Sequence, residues 1–288
     1  MRIGFIGAGK VGTAFGKYLK KYGFKVYGYY SRTYESALKA AKYTDTKAVE
    51  NIEEIVVNTD IIFITTKDDE IRNVSNRLVQ KNLLIKGKIL IHMSGAASSD
   101  ILIKAKEQGS CIYSLHPLQS FADIDKAVKD LEDTIFSLEG DEEKINVIED
   151  ILKKTDNEYF KLNANQKSIY HAAACVVSNY LVTLMDYGLS LFESIGIDKE
   201  KGFKALLPLI DGTLKNIYDL GTEKALTGPI ARGDTNTIER HLKSMQENNL
   251  KSIDFYKLLG AKTVDLAKKE KLENKEKITY LKNILKEV

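Results

Sequence analysis

The chain has 288 residues, with 43 lysines and arginines against 40 aspartates and glutamates and a formal net charge of +3. That length can bury one large core or two smaller ones. Charge so close to balance leaves no electrostatic footprint for nucleic acid, and the two cysteines, Cys111 and Cys175, sit in apolar runs with no metal-ligand spacing.

Strand-like residues begin at once with "RIGFI", which leaves no room for a signal peptide and points to a cytoplasmic protein. In chain order follow the β-rich runs "FKVYGYY", "DIIFITT", "KILIHMS", "SCIYSL" and "DTIFSL", separated by charged helical stretches such as "KVGTAFGKYLKKYG" and "DDEIRNVSNRLVQ". This alternation predicts an α/β fold, a doubly wound parallel sheet of Rossmann type with helices on both faces. One more unit, helix "DEEKINVIEDILKK" and strand "EYFKL", closes this half. After Leu162 the strand signal stops and helical periodicity takes over, with stops at Gly196, around Gly221 and at "TGPIARGD". The expected domains are 1–162 and an all-helical 163–288, with no Pro/Ser-rich linker between them. The charged run "KKEKLENKEK" reads as a solvated helix face and its preceding turn.

"GFIGAGKVG" sets Gly7, Gly9 and Gly12 in the G-x-G-x-x-G pattern directly after a strand and at the opening of a helix. Gly7 suits the tight turn, Gly9 lets backbone approach a pyrophosphate, and Gly12 lets helix close on strand. The first domain is therefore expected to bind a dinucleotide at the helix N-terminus. The second strand ends in "YGYYSRTYES", with Ser31, Arg32 and Thr33 where an NAD enzyme offers an acid to the ribose. A guanidinium with neighbouring hydroxyls suits a 2′-phosphate, so NADP is favoured over NAD. The alternative is that Ser31 or Thr33 caps the next helix while Arg32 faces solvent. Lys10 either adds a positive charge near the phosphates or is a solvated helix lysine.

Ligands of open α/β sheets bind outside the carboxyl ends of the strands. Those ends carry "TTKDD", "HMSGAASS" and "SLHPLQSF". Thr66 is placed with the cofactor residues, whereas Asp68 and Asp69 are explained by helix capping. Ser94 and Gly95 stand where a nicotinamide ring is expected. His116, held extended by Pro117, suits proton transfer near neutral pH or, equally, a loop hydrogen bond. His92 and His241 read as structural.

The stretch "QKSIYHAAACVVSNYLVTL", 166–184, is mostly apolar yet carries Lys167, His171, Cys175, Ser178 and Asn179. On one helix, 171, 175 and 178 share a face, Lys167 lies a turn before them, and Asn179 borders the stripe. Such a helix is either an active-site wall or a core element with satisfied polar groups. The window from Ala172 to Leu191 has the length of a membrane span, but Asn179, Asp186, two serines and a glycine within it argue against lipid.

"GFIGAGKVGTAF", "HMSGA", "HPLQSF", "YHAAACVVSNYLVTL" and "LTGPIARGDTNTIERHL", in that order across nearly the whole chain, resemble a family of two-domain Rossmann-like proteins. That family has a helical C-terminal domain of unknown function, and its members are often labelled candidate NADP oxidoreductases. The wider resemblance is to β-hydroxyacid dehydrogenases, ketopantoate reductases, prephenate dehydrogenases and pyrroline-5-carboxylate reductases. The resemblance implies a hydride transfer with a small carbonyl, imine or hydroxy-acid substrate in an interdomain cleft, and a homodimer through the helical domain. In β-hydroxyacid dehydrogenases a Lys precedes an Asn-Asn pair on the helix that opens the second domain. Laying "SNYL" on that pair puts Ser178 and Asn179 in the Asn places and Cys175 in the Lys place, a departure, since a thiol in an apolar run is a poor proton donor. His171, His116 or Lys167 would then move the proton, Asn179 and Ser94 would orient the substrate, and Arg232 would anchor a substrate carboxylate or face solvent. Loss of the Lys also leaves open a non-catalytic NADP-binding sensor or scaffold. No metal is expected.

Overall fold

The computed structural model describes residues 1–81, 83, 86–248, 250 and 253–286. It divides into two compact units, 1–181 and 182–288. The first is built on one sheet of β1 (Arg2–Ile6), β2 (Lys25–Tyr30), β3 (Lys47–Val49), β4 (Ile61–Ile64), β5 (Ile89–His92), β6 (Cys111–Pro117), β7 (Phe136–Gly140) and β8 (Tyr159–Lys161). The spatial order is β3-β2-β1-β4-β5-β6-β7-β8. Between β1 and β4 the direction of winding reverses, which opens the crevice where such sheets take ligands. The connections carry α1 (Lys10–Lys21), α2 (Tyr34–Thr44), α3 (Ile52–Asn58), α4 (Asp68–Gln80), α5 (Ile103–Glu107), α6 (Ile124–Asp130) and α7 (Ile145–Lys154).

Strand residues alternate between two buried clusters because successive side chains point to opposite faces. Ile3, Phe5, Ile61, Phe63, Ile89 and Ile91 pack on one side with Phe15 and Leu19 of α1. Ile6, Ile62, Ile64 and Leu90 pack on the other with Ile55 of α3 and Leu78 of α4. Both faces are covered, which is why the strands read as continuous apolar runs.

Two features depart from the expected parallel sheet. The short edge strand β3 is added beside β2, and β7 runs antiparallel to β6. Leu118 donates its backbone N–H to Ile135 across the base of the β6–β7 connection, and Pro117 stands opposite Phe136. The chain therefore re-enters the sheet at the end it left, as a hairpin does. The seven-residue α6 does not carry it back to the opposite end.

The expected single helix over 166–184 is two helices, α8 (Lys167–Val177) and α9 (Asn179–Ser194). The break is Ser178, with φ −113° and ψ −72°. By length and composition alone, 164–194 could cross a membrane. In the fold, Lys167 and Tyr170 of α8 instead hydrogen-bond to Ser94 and His116 of the sheet unit. The first unit accordingly extends past Leu162 to include α8, ending at Leu181. The second unit continues with α10 (Lys199–Ala225, interrupted at Gly221), α11 (Pro229–Arg232), α12 (Thr235–Glu247), α13 (Ile253–Ala267) and α14 (Lys275–Ile284). Its core joins Ile230, Ile238, Leu242, Val264, Leu272, Leu281 and Leu285. Asp198, Asp234 and Asn274 cap α10, α12 and α14 by accepting backbone N–H groups three residues on.

Helix α1 approaches the sheet closely where Gly16 faces Tyr29. A Cβ on Gly16 would collide with the Tyr29 hydroxyl and lie 3.0 Å from its Cζ, and Tyr29 is fully buried. Gly16→Ala should therefore cost roughly 1–3 kcal/mol by overpacking, read as a lower urea midpoint with unchanged far-UV circular dichroism.

Candidate functional site

Gly7 turns the chain at the end of β1 with φ +111°, and a side chain there would lie 2.6 Å from the Thr65 carbonyl carbon and oxygen. The Thr65 hydroxyl donates to Gly7 O at 2.8 Å, and a Cβ on Gly12 would run into that hydroxyl. This contact seats the start of α1 against the end of β4. Gly9 is different, because nothing lies within 4 Å of where its Cβ would be. The first turn of α1 has no side-chain cap and no acidic residue, so its free N–H groups can receive an anion.

A cavity of about 780 Å³ opens over this turn, lined by Gly7, Gly9, Lys10, Tyr30, Ser31, Arg32, Thr33, Thr65, Thr66, Lys67, Asp69, Glu70, Asn73 and Arg77 among others. Arg77, one turn after Asn73 on α4, donates to the Tyr30 hydroxyl at 3.2 Å and stands 5.8 Å from that ring's centroid. Arg32 is exposed and, among the described residues, forms no ion pair. Glu35, the first acid after β2, is paired with Lys39 at 2.9 Å. Four basic side chains thus meet two acidic ones around the cavity. The Thr66 hydroxyl is buried without a hydrogen-bond partner, an atom that a ligand would satisfy. The cavity thus joins an open glycine turn and a free helix N-terminus to the guanidinium groups of Arg32 and Arg77, a lining that fits a dinucleotide.

Two cofactor expectations are modified, and one residue joins them. Lys10 is tied to the Ala122 carbonyl at 2.5 Å, so its charge lines the cavity while its hydrogen bond holds a loop. Thr33 stands at the N-cap of α2 and is bonded to Ser36 Oγ at 2.8 Å. Arg77 was legible only as one basic residue on a charged helix, although its spacing from Asn73 puts both on one face.

A second polar cluster lies at the ends of β5 and β6 and on α8. Ser94 is buried at 5 % exposure. Its hydroxyl donates to Asp68 Oδ2 at 2.7 Å and accepts from Ala96 N and Ala97 N at 3.2 Å each. Its bonding capacity is taken up in shaping the loop at the end of β5. Asp68 correspondingly links α4 to this loop; Lys67 holds the N-cap place. His92, fully buried, accepts from Ser94 N at 3.2 Å and faces Ser98 O at 3.1 Å. Burial pushes its pKa down to about 4. It is structural, as its place within a strand implied.

Lys167 is 1 % exposed and donates to Ser94 O at 3.3 Å. Burial lowers its pKa to about 8, against the opposing pull of Glu139 and Asp68. His116 accepts or donates at Nδ1 with the Tyr170 hydroxyl, 2.8 Å away. Burial, with the nearby Lys167 charge, pushes its pKa down to about 3. Desolvation thus keeps the His116 ring neutral near neutral pH, and its hydrogen bond goes to Tyr170 of α8 and not to a loop. His171 lies beside it, ring centroids 6.2 Å apart, and its Nε2 is 3.5 Å from Cys175 Sγ. Ser178 and Asn179, at the break between α8 and α9, are exposed, whereas His171 and Cys175 are half-buried and in contact. Arg232 ends α11 in the second unit and is exposed there. Tyr170 was not singled out in the sequence, where an isolated tyrosine gives no spacing signal. Among the described residues no cluster of metal-ligand type occurs.

Residues 1–117 match the family model for a Rossmann-like domain and residues 134–263 that for a domain of unknown function, DUF2520. The chain is thus a Rossmann-like protein with a C-terminal DUF2520 domain, the family that the ordered motifs resemble. Among solved structures it is similar to protein TM1727 from Thermotoga maritima, at 26 % identity over 94 % of this chain and 100 % of that one, with a TM-score of 0.73. A candidate NADP oxidoreductase, BF3122 from Bacteroides fragilis, follows at 22 % identity, 92 % and 98 % coverage and a TM-score of 0.72. Pyrroline carboxylate reductase from Plasmodium falciparum, with NADP bound, shares 16 % identity over 99 % of this chain and 98 % of its own, with a TM-score of 0.58. No curated protein matches the chain.

The neutral rings of His92 and His116 set a pH dependence. Both have folded pKa values below the usual 6.5, so the unfolded chain binds more protons between about pH 6.5 and pH 4. Their contribution to stability is complete above about 6.5 and is lost as pH falls, each tenfold difference in proton affinity being worth roughly 1.4 kcal/mol. Urea midpoints measured from neutral pH to pH 4.5 should fall, and His116→Gln should make that fall shallower.

Proposed function

We propose that the protein is an NADP(H)-dependent oxidoreductase acting on a small carbonyl, imine or hydroxy-acid substrate. The observation that carries this reading is the cavity over Gly9, with Arg32 and Arg77 at its ribose end, and with Glu35, the first acid after β2, turned to Lys39. A guanidinium pairs with a 2′-phosphate through charge-assisted hydrogen bonds, and a carboxylate in that place would repel it. When bound, the dinucleotide supplies or takes the hydride. The chain's own part is to hold the phosphates on the α1 N-terminus, to satisfy Thr66, and to move a proton through the groups on α8.

A non-catalytic sensor is the second reading, and one observation favours it. The buried Lys167 is 1 % exposed, and the place of the superfamily's acid holds Cys175. Nicotinamide absorbance followed with a panel of 2-oxo acids, imines and hydroxy acids separates the two. Turnover of any member supports the enzyme, and tight NADPH binding without turnover supports the sensor.

A second copy of this chain is proposed to cover α10, where Leu209, Leu214, Tyr218 and Leu220 are 67 %, 50 %, 90 % and 54 % exposed. Exposed apolar patches on that scale mark interaction surfaces. Sedimentation equilibrium should give a dimer, with Tyr218→Glu shifting it toward monomer.

Cofactor titrations by nicotinamide fluorescence test the main reading. Gly9→Val should abolish NADPH binding in a folded protein, because its side chain fills the open space at the turn. Arg32→Ala should weaken NADPH by roughly tenfold or more while changing NADH little, as expected for a charge-assisted contact of about 1.5–3 kcal/mol. Equal losses for both cofactors would overturn the 2′-phosphate assignment.

A further inference from the structure

The loop between β6 and α6, residues 118–123, reaches the start of α1 as a strap pinned at both ends. At its near end Leu118 donates its backbone N–H to Ile135 O at 3.1 Å. The Gln119 side-chain amide donates to Ala127 O at 3.2 Å and accepts from the Thr134 hydroxyl. At the far end Asp123 caps α6, accepting from Lys126 N at 2.8 Å. Between these pins run Ser120, Phe121 and Ala122. Phe121 is half-buried, packs against the core cluster that holds Phe15, and lines the cavity together with Gly9, Lys10 and Val11. Ala122 O accepts from Lys10 Nζ at 2.5 Å.

Lys10 is the first residue of α1, and Thr13 N donates to Gly9 O at 3.0 Å. The N–H groups of Lys10, Val11 and Gly12 therefore lie ahead of the helical ladder and are open to an anion. The ammonium of the same Lys10 carries three N–H donors, of which Ala122 O takes one. The remainder are free for an oxygen of a phosphate seated on that turn.

We propose that Lys10 bridges the dinucleotide pyrophosphate to the strap, so that the strap governs how fast the dinucleotide leaves. This rests on the oxidoreductase reading above, through its dinucleotide site. With the strap in place the Lys10 side chain is already oriented, and an arriving phosphate has fewer torsions to order. Linkage requires the converse, that a phosphate on Lys10 steadies the strap by the same factor. Phe121 adds an apolar wall at the turn, which strengthens the contact of ammonium and phosphate by excluding water. The pyrophosphate is common to NADH and NADPH, so the bridge serves both, unlike the contact assigned to Arg32.

Hydrogen exchange of the full chain, read by mass spectrometry, and stopped-flow dissociation of NADPH and NADH test the bridge. NADPH should slow amide exchange at Ser120, Phe121 and Ala122 in the wild type. Lys10→Met should speed that exchange in the free protein and abolish its response to NADPH. The same variant should raise both dissociation rates by about tenfold or more, as for loss of a charge-assisted hydrogen bond. Gln119 and Asp123 do not line the cavity, yet Gln119→Ala and Asp123→Ala should each raise both rates by loosening a pin. If one of these fails to fold, the other decides. Faster dissociation from Lys10→Met, with a wild-type strap indifferent to NADPH, would make Lys10 a phosphate ligand alone. A looser strap with unchanged dissociation would make it a loop anchor alone, and either result overturns the bridge. Unchanged rates in the folded pin variants do the same. A wild type that binds neither cofactor overturns the dinucleotide reading and the bridge together, whereas binding with an unresponsive strap overturns only the bridge.

Discussion

The burial of one ammonium group organises this molecule around its site. Lys167, at the first position of α8, places its charge against Ser94 O at the end of β5. An isolated buried cation costs several kcal/mol, so it needs polar company. The Ser94 carbonyl gives it an acceptor, and the charges of Glu139 and Asp68 offset part of its desolvation. Glu139 is itself fixed by Ser99, whose N–H and hydroxyl donate to it at 2.6 and 2.8 Å. The helix is thereby pinned to the carboxyl edge of the sheet and delivers Tyr170 and His171 to His116.

The same charge explains the protonation of its neighbours. A cation near His116 and His92 adds to desolvation in keeping both rings neutral. Both rings are thus held in the form that offers one donor and one acceptor nitrogen. Charge also separates the two edges. The α1 N-terminus, Arg32 and Arg77 carry positive charge at the cavity, while the sheet edge under α8 holds neutral rings around one buried ammonium.

The glycine turn, the strand–helix alternation and the missing acid after β2 were readable because each is local. A turn with φ +111° at Gly7 needs glycine whatever surrounds it, and an apolar run of four to six residues declares a strand buried on both faces. The α8 stripe was readable in part. Helical spacing put His171 with Cys175, and the regular helix ends at Val177, with Ser178 as its C-cap at φ −113° and ψ −72°. Nothing in "VVSNY" announces that break. Ser94 was correctly placed at a strand end, but its hydroxyl is consumed by Asp68, Ala96 and Ala97, partners that a loop acquires only on folding.

The sequence by itself determined the Rossmann-type sheet, the glycine turn, the absence of an acid directly after β2 and the change to helices after the sheet. These follow from residue type and short-range spacing. Only the tertiary structure decided that β7 turns antiparallel, that Lys167 is buried, that His116 is held neutral, and that Tyr170 meets His116. Each of those depends on residues far apart in the chain, and desolvation is a property of the packed surroundings that no single segment carries.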